Sequence, residues 1–227
     1  MIPIKDKNLQ IFLNLVLNKK IEDIELEDLK NIKMISYENN DDPQEYHLDL
    51  EELNYFSNLE DLNFSNILLT KENIEIIKKL KIKKLRLNHC AIDSSNNLGL
   101  LQDLLSFESI DSYHETYDFL KNMNLLEYLA ITKPYTKEVL SLDSIASMNH
   151  LKKLTLEQCL IDKIEEIKNC KEIVLLNILG TKVPLDIINT LKELPNLKKV
   201  YIDKDYDVEE LKPKIEIKNT LFEFTED

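Results

Sequence analysis

His89 and Cys90 are the neighbouring side chains in this sequence whose types and spacing come closest to a catalytic arrangement. A histidine beside a cysteine can act as the base that generates a nucleophilic thiolate. The other two cysteines, Cys159 and Cys170, have no histidine close in sequence, and the four histidines are too scattered for metal-ligand spacing. No P-loop, G-x-G-x-x-G, G-x-S-x-G or H-E-x-x-H string occurs. The sequence therefore predicts no enzymatic activity, no cofactor and no metal site.

The chain is acidic, with a net charge of −13 from 42 acidic and 29 basic residues. Nucleic acids and anionic membranes both attract basic surfaces, so we expect neither as a partner. The acidic residues crowd between Glu38 and Asp61, in a stretch without Lys or Arg. This acidic run is either a docking loop for a basic protein partner or a solvated insertion, and it lacks a calcium-binding D-x-D-x-D-G loop.

An internal repeat, apolar-x-x-apolar-x-apolar, predicts the elements that position these side chains. Successive copies begin 22 to 27 residues apart, and one copy cannot bury its own apolar face, so neighbouring copies must stack. Strand residues alternate between two faces, which places the last two apolar residues of each copy in the core. The eight copies are Ile32-Ile35-Tyr37, Leu59-Leu62-Phe64, Ile82-Leu85-Leu87, Leu104-Phe107-Ser109, Leu126-Leu129-Ile131, Leu151-Leu154-Leu156, Ile173-Leu176-Ile178 and Leu197-Val200-Ile202.

The ninth position of the repeat decides how the cysteines are interpreted. Cys90 and Cys159 occupy it in two copies, and Asn40 and Thr181 occupy it in two others. A side chain at this position turns inward after the strand, so we interpret both cysteines as small buried hydrophobes rather than nucleophiles. Cys170 falls in a segment between strands, where we expect partial exposure.

Short helices are predicted between the strands and at the N-terminus. Thr70 is expected to cap a helix through Ile74, Ile77 and Leu80, and Asp6 a helix with Leu9, Phe12, Leu13, Val16 and Leu17 on one face. Ser112 and Glu115 suggest a capping box ahead of Phe119 and Leu120, and Pro184 suits the first turn of a helix carrying Ile187, Ile188 and Leu191. The alternating Ile215 and Ile217 predict a closing strand or hairpin.

From residue 32 to about 205 the chain resembles leucine-rich-repeat proteins, whose repeats run to 20–29 residues. Residues 4–29 are similar to the helical cap that precedes the repeats of bacterial internalin-like proteins. The resemblance implies an α/β solenoid, a horseshoe of about eight repeats with a parallel concave sheet and short helices or loops on the convex side. It also implies one continuous structural domain made of an N-terminal cap (1–31), the repeats (32–205) and a C-terminal capping segment (206–227).

Members of this family usually bind proteins through the concave sheet, and the repeat register enumerates that face. The alternative is a solvated sheet face with binding by loops or by the convex side. Tyr and Arg are favoured as interface anchors, so Arg86, Tyr128 and Tyr201 are the strongest candidates. The predicted partner-binding residues are Asp61, Asn63, Arg86, Asn88, Tyr128, Lys153, Glu157 and Tyr201.

Two functional hypotheses remain open at this stage. The first is a cytoplasmic adaptor or inhibitor that captures one protein; an immunity-like protein is one example, and the acidic charge favours a basic partner. This hypothesis is favoured by an odd number of cysteines and by an N-terminus without signal-peptide character. The second is a recognition fragment of a secreted or cell-surface internalin-like virulence factor. We expect a monomer, with a dimer possible through an exposed terminal strand.

Overall fold

A computed structural model describes residues 4–39, 50–134 and 139–220 of the chain. Within them, nine strands form one parallel sheet in the order β1-β2-β4-β6-β7-β9-β11-β12-β13. These strands are Met34–Glu38 (β1), Asp61–Ser65 (β2), Lys84–Asn88 (β4), Ser106–Ile110 (β6), Tyr128–Thr132 (β7), Lys153–Glu157 (β9), Leu175–Asn177 (β11), Lys199–Asp203 (β12) and Glu216–Thr220 (β13). Two-residue strands at Leu68–Leu69 (β3) and Ala91–Ile92 (β5), and at Leu140–Ser141 (β8) and Ile161–Asp162 (β10), pair beside the main sheet.

The eight predicted copies of the repeat coincide with the first eight strands of the main sheet. In most of these strands buried apolar residues alternate with outward ones; in β4, for example, Leu85 and Leu87 are buried while Lys84 and Arg86 are exposed. The strands pair in register, so that Leu62, Leu85 and Phe107 lie side by side in one continuous core. The predicted solenoid of stacked units is confirmed.

The segment after the repeats adds a ninth strand to the same sheet. The predicted closing strand is confirmed as β13, which pairs in parallel with β12, so that Ile217 lies beside Val200. Parallel pairing continues the core past the last repeat.

The connections between sheet strands are short helices on the opposite side of the core. The α-helices are Lys7–Leu17 (α1), Leu26–Leu29 (α2), Lys71–Leu80 (α3) and Ile187–Lys192 (α4). Single 3-10 segments lie at Ile21–Asp23, Glu51–Tyr55, Ser95–Leu100, Asp118–Asn122, Leu142–Ser144, Ile164–Asn169 and Glu209–Leu211. As predicted, Thr70 caps α3, and its side chain accepts a hydrogen bond from the main-chain N of Asn73.

Two helix predictions on this side need correction. The capping box at Ser112 and Glu115 is wrong, because the Ser112 side chain is fully buried and bonded to the turn beside it. The segment that follows is 3-10 rather than α-helical. Helix α4 begins three residues after Pro184, whose carbonyl accepts a hydrogen bond from the main-chain N of Ile187.

The N-terminal helix α1 seals the first strand. Asp6 caps it as predicted and accepts a 2.7 Å hydrogen bond from the main-chain N of Leu9. Leu9 and Leu13 are buried, but Val16 is exposed, so the buried face of the helix is narrower than predicted. None of the described helices is long and apolar enough to cross a membrane.

The turns after β2, β4, β6, β7, β9 and β11 each contain a residue in the left-handed conformation, and the ninth residue of the repeat follows it. His89 and Gln158 have φ values of 50° and 56°, and the next residue in each case is a buried cysteine. The thiols of Cys90 and Cys159 donate to carbonyls of the preceding repeats at 3.3 Å and 3.2 Å. Their inward placement is confirmed. Cys170 is also fully buried, so its predicted partial exposure is wrong.

In the neighbouring repeats, hydroxyl groups fill the ninth position and complete the turns. The side chain of Ser112 accepts from the main-chain N of Cys90, and the side chain of Thr181 accepts from that of Cys159, both at 3.0 Å. Each hydroxyl thereby satisfies a main-chain N–H that the core would otherwise leave unpaired. Asn40, predicted for the same position, lies outside the described residues, as do residues 41–49 of the acidic run from Glu38 to Asp61.

Candidate functional site

The concave face consists of three rows of outward side chains that run across the strands. Its first row includes Asp61, Lys84, Ser106, Tyr128, Lys153, Leu175 and Lys199; its second includes Asn63, Arg86, Glu108, Ala130, Thr155, Asn177 and Tyr201; its third includes Ser65, Asn88, Ile110, Thr132, Glu157 and Asp203. The structure places all eight predicted binding residues on this face. None of them is fully buried.

Half of the predicted residues meet in one depression over the early strands. Asp61, Asn63, Arg86 and Tyr128 line this 570 Å³ depression. Lys153 is the neighbour of Tyr128 in the same row but does not line it. Asn88 lies at the other end of β4 from the depression, and Glu157 and Tyr201 lie on later strands, so the structure separates the predicted set into a central group and outlying positions.

A bonded ion pair occupies the floor of the depression. Arg86 Nη2 lies 2.8 Å from Glu108 Oε1 on the adjacent strand. Hydrogen bonding to Glu108 raises the pKa of the Arg86 guanidinium further above its usual range. Arg86 is therefore a fixed, half-exposed cation whose charge is largely balanced within the sheet.

Two further groups in the depression have shifted pKa values. Partial burial raises the pKa of the Asp61 carboxyl, and the cations Lys84 and Arg86 oppose that shift. Partial burial also raises the pKa of the Tyr128 phenol, with the Glu108 carboxylate adding to the effect. Tyr128 remains a neutral hydrogen-bonding aromatic at physiological pH. The depression thus places charged groups beside an aromatic ring.

Two apolar residues in the depression were missed by the sequence analysis. Met34 and Leu105 line it and are 49% and 37% exposed. Met34 stands at the first outward position of β1, so the repeat register was sufficient to find it. Leu105 immediately precedes β6, and only its exposure in the folded chain distinguishes it from the core leucines. Together they add apolar contact area to a surface that otherwise looks mainly charged.

The far end of the face has a second, smaller cluster. Lys199 Nζ lies 5.1 Å from the centre of the Tyr201 ring and 3.1 Å from Glu216 Oε1. Glu157, one row away, accepts a 3.3 Å hydrogen bond from the Asn177 amide. The predicted residues Tyr201 and Glu157 therefore belong to local networks that hold their side chains in place.

No protein-family model matches the sequence, and no curated protein matches it significantly. Solved structures do. Internalin C2 of Listeria monocytogenes superposes with a TM-score of 0.65 at 18% identity, covering 96% of this chain and 93% of that one. A leucine-rich-repeat protein of Leptospira interrogans gives 0.52 at 18% identity, over 87% of this chain and 57% of that one. This chain has the leucine-rich-repeat fold.

The likeness to internalin C2 covers nearly the whole chain, so it reaches into the helical cap as well as the leucine-rich repeats. The predicted horseshoe and the resemblance to internalin-like leucine-rich-repeat proteins are confirmed as a shared fold. TLR13, solved as a complex with ssRNA13, superposes with a TM-score of 0.60 at 17% identity, over 91% of this chain and 35% of that one. At these identities the comparison establishes the fold alone. Any inference about the partner has to come from the surface of this chain.

The leucine-rich-repeat turn separates the two members of the His89–Cys90 pair. The Cys90 thiol is buried among main-chain carbonyls, and burial raises its pKa, which disfavours the thiolate. The His89 ring is 56% exposed on the outside of the same turn, 3.8 Å from Asp111. The nucleophile-and-base interpretation fails on this geometry. No group of acidic, histidine or cysteine side chains in the described part of the chain has the arrangement of a metal site.

A serine–histidine contact inside the leucine-rich repeats was not predicted. Ser109 occupies an inward position where the repeat calls for an apolar residue, and its Oγ lies 2.6 Å from Nε2 of the fully buried His114. The rings of Phe107, Tyr117 and Phe119 surround the imidazole. Burial lowers the pKa of His114 to about 4, so the ring is neutral near pH 7. A pair sealed in the core has no access to a substrate, and we assign it a structural role.

Proposed function

We propose that this chain is a non-catalytic protein-binding module that captures one protein partner on its concave sheet. The observation that carries the proposal is the depression over the early strands. There Tyr128 and the bonded Arg86 lie beside exposed Met34 and Leu105. Aromatic residues, Arg and Met are enriched at the centres of protein interfaces, and anchors already held in place lose less side-chain entropy on binding.

The proposed contact surface extends from this depression along the face. It comprises the eight residues expected from the repeat register: Asp61, Asn63, Arg86, Asn88, Tyr128, Lys153, Glu157 and Tyr201. Arg86, Tyr128 and Tyr201 are its anchors. Truncation of a buried interface anchor commonly costs 2 kcal/mol or more, whereas rim residues contribute little.

The test is capture from a lysate of the source organism by the parent protein and by the variant R86A/Y128A/Y201A. A matched control, K79A/Y55A/Y113A, removes one cation and two tyrosines that are exposed outside the concave sheet. We expect a partner that binds the parent and the control but is lost from the anchor variant. All three proteins must give the same circular dichroism spectrum.

A partner retained by the anchor variant would reject the concave site. If that partner is lost from the control instead, the convex side or a loop carries the binding. The acidic run from Glu38 to Asp61 is the first loop to examine in that case, because it is the alternative docking element predicted from the sequence.

Within this class we propose a cytoplasmic adaptor or inhibitor, for example one of the immunity-protein kind. All three cysteines are unpaired and buried, which agrees with a reducing compartment. The alternative is a recognition fragment of a secreted or cell-surface internalin-like virulence factor. Fractionation of the source organism with an antibody against this chain separates the two, since recovery in the medium or at the surface would reject the cytoplasmic proposal.

We further propose that the binding unit is the repeat region 32–205, sealed by 1–31 and 206–227, and that it acts as a monomer. The exposed terminal strand of such a sheet offers an alternative, a dimer paired edge to edge. Light scattering coupled to size-exclusion chromatography distinguishes one chain of 26.7 kDa from two.

A further inference from the structure

Three repeats carry a pair of lysines at the start of the sheet strand. Lys83-Lys84, Lys152-Lys153 and Lys198-Lys199 each place their second residue at the first outward position, in β4, β9 and β12. The register sets these three second residues, Lys84, Lys153 and Lys199, in the same row of the concave face, here called the lysine row. The pairing of lysines in sequence thus becomes a line of cations across the sheet.

The positive charge of this edge contrasts with the acidity of the whole chain. Over the nine sheet strands, the first residue and the one before it include seven lysines and four carboxylates. The lysines are Lys33, Lys83, Lys84, Lys152, Lys153, Lys198 and Lys199, and the carboxylates are Glu60, Asp61, Glu127 and Glu216. Because the chain has a net charge of −13, an excess of lysine at this edge means that the excess of acidic residues lies elsewhere on the molecule.

Two members of the row are available to a partner. Lys84 and Lys153 are exposed, and within residues 4–39, 50–134 and 139–220 neither ammonium forms an ion pair. Lys199, by contrast, pairs with Glu216. Two carboxylates at the opposite ends of the strands are already hydrogen-bonded: Glu157 accepts from the Asn177 amide, and Asp203 accepts from the main-chain N of Gly180. From Tyr128 to Leu175 the first row carries no carboxylate, so its unpaired charge there is the Lys153 ammonium, whereas Lys84 has the Asp61 carboxylate as its neighbour in the row.

The ring of Tyr128 lies between the two free lysines in the same row. Lys84 and Lys153 are three strand spacings apart, or about 14 Å. An extended segment rises about 3.4 Å per residue, so two side chains four residues apart span the same distance and point to the same side. An extended chain crossing the strands can thus place one carboxylate on each lysine and an apolar residue on Tyr128.

We propose that the lysine row binds an acidic stripe of the protein partner, with carboxylates at four-residue spacing. This inference rests on the proposed function and makes it specific. It reverses the expectation of a basic partner that follows from net charge alone, because short-range recognition depends on the local charge of the contact surface. The Lys84 and Lys153 ammonium groups would gain partners without breaking an ion pair among the described residues.

The test uses two fluorescein-labelled nine-residue peptides that differ only in charge sign. Each has a central tyrosine flanked by charged residues four positions apart, glutamates in one and lysines in the other. Binding to the full chain is measured by fluorescence anisotropy at low salt, where charge interactions are least screened. The variant K84E/K153E is compared with K71E/K79E, which makes the same change in net charge at two exposed lysines of the convex helix α3.

We expect the glutamate peptide to bind the parent, to lose about tenfold or more in affinity on K84E/K153E, and to bind K71E/K79E within about twofold of the parent. Preference of the parent for the lysine peptide would overturn the proposal, as would equal losses on the two variants or no binding of the glutamate peptide. A natural partner that is lost from R86A/Y128A/Y201A but retained by K84E/K153E would reject the acidic stripe alone. The proposed concave function would then stand.

Discussion

Replacement of the buried Ser109–His114 pair should change how the stability of the protein depends on pH. The perturbation is the double variant S109L/H114A, which restores the apolar residue of the repeat and removes the imidazole that fills the space beside it. Removing both partners avoids leaving one buried polar group unpaired. Total side-chain volume changes little, so the packing of Phe107, Tyr117 and Phe119 around the site is largely kept.

The magnitude follows from the two pKa values of the histidine. The unfolded chain titrates near 6.5, whereas burial lowers the pKa of His114 in the folded protein to about 4. Between these values the unfolded state binds more protons, so stability is fully present above pH 6.5 and decreases as the pH falls toward 4. Lowering the pH from 8 to 5 should therefore reduce the free energy of unfolding by about 2 kcal/mol through this one group.

The assay is urea unfolding of the parent and S109L/H114A at pH 8 and pH 5, followed by circular dichroism because the chain has no tryptophan. The quantity compared is the change in free energy of unfolding between the two pH values. Groups common to both proteins cancel, and the comparison does not depend on the absolute stability of the variant. We expect a pH-dependent loss about 2 kcal/mol smaller in the variant. Equal losses in the two proteins would refute the assignment of a buried neutral histidine.

Three further predictions concern other buried and exposed groups. Thr181→Val should reduce the free energy of unfolding by about 1–3 kcal/mol, because it unpairs the main-chain N–H of Cys159, while Thr132→Val serves as a half-exposed strand control. A loss no larger than that of the control would contradict the role of the hydroxyl. Glu108→Ala should cost no more than about 1 kcal/mol in urea unfolding, since the Arg86 guanidinium that loses its partner is half-exposed and can be hydrated, and a loss of several kcal/mol would show that the pair is structural. The three thiols should react with a disulfide reagent at pH 8 only on unfolding, because burial raises their pKa values, that of Cys159 to about 12; rapid reaction of a native thiol would be inconsistent with this.

The repeat predicted most of the architecture because its spacing reflects a strong physical constraint. Apolar residues at fixed positions must share one core, and a one-residue slip would turn every buried side chain outward. The eight strands, the inward direction of Cys90 and Cys159, and the closing strand at Ile217 all follow from this alternation. Predictions from local signals were less successful. The Ser112–Glu115 pattern matches a capping box, but Ser112 is used by the turn of the neighbouring repeat.

The set of side chains on the concave face could likewise be predicted from the sequence, since strand side chains alternate strictly between the two faces of a sheet. This alternation by itself places Asp61, Asn63, Arg86 and Tyr128 on the concave face. It also covered Met34, which the sequence analysis overlooked although its position in the first repeat is outward.

Only the tertiary structure decided which of these side chains form ion pairs or hydrogen bonds, which form none, and which contact one another. The Arg86–Glu108 bond joins residues 22 positions apart, and the availability of Lys84 and Lys153 depends on where carboxylates of other strands lie. The His114 ring entered the core because Ser109, an inward residue of its own repeat, left space and a hydrogen-bonding partner. Periodicity determines the direction of a side chain, but its partners depend on distances between repeats, and these are set by packing.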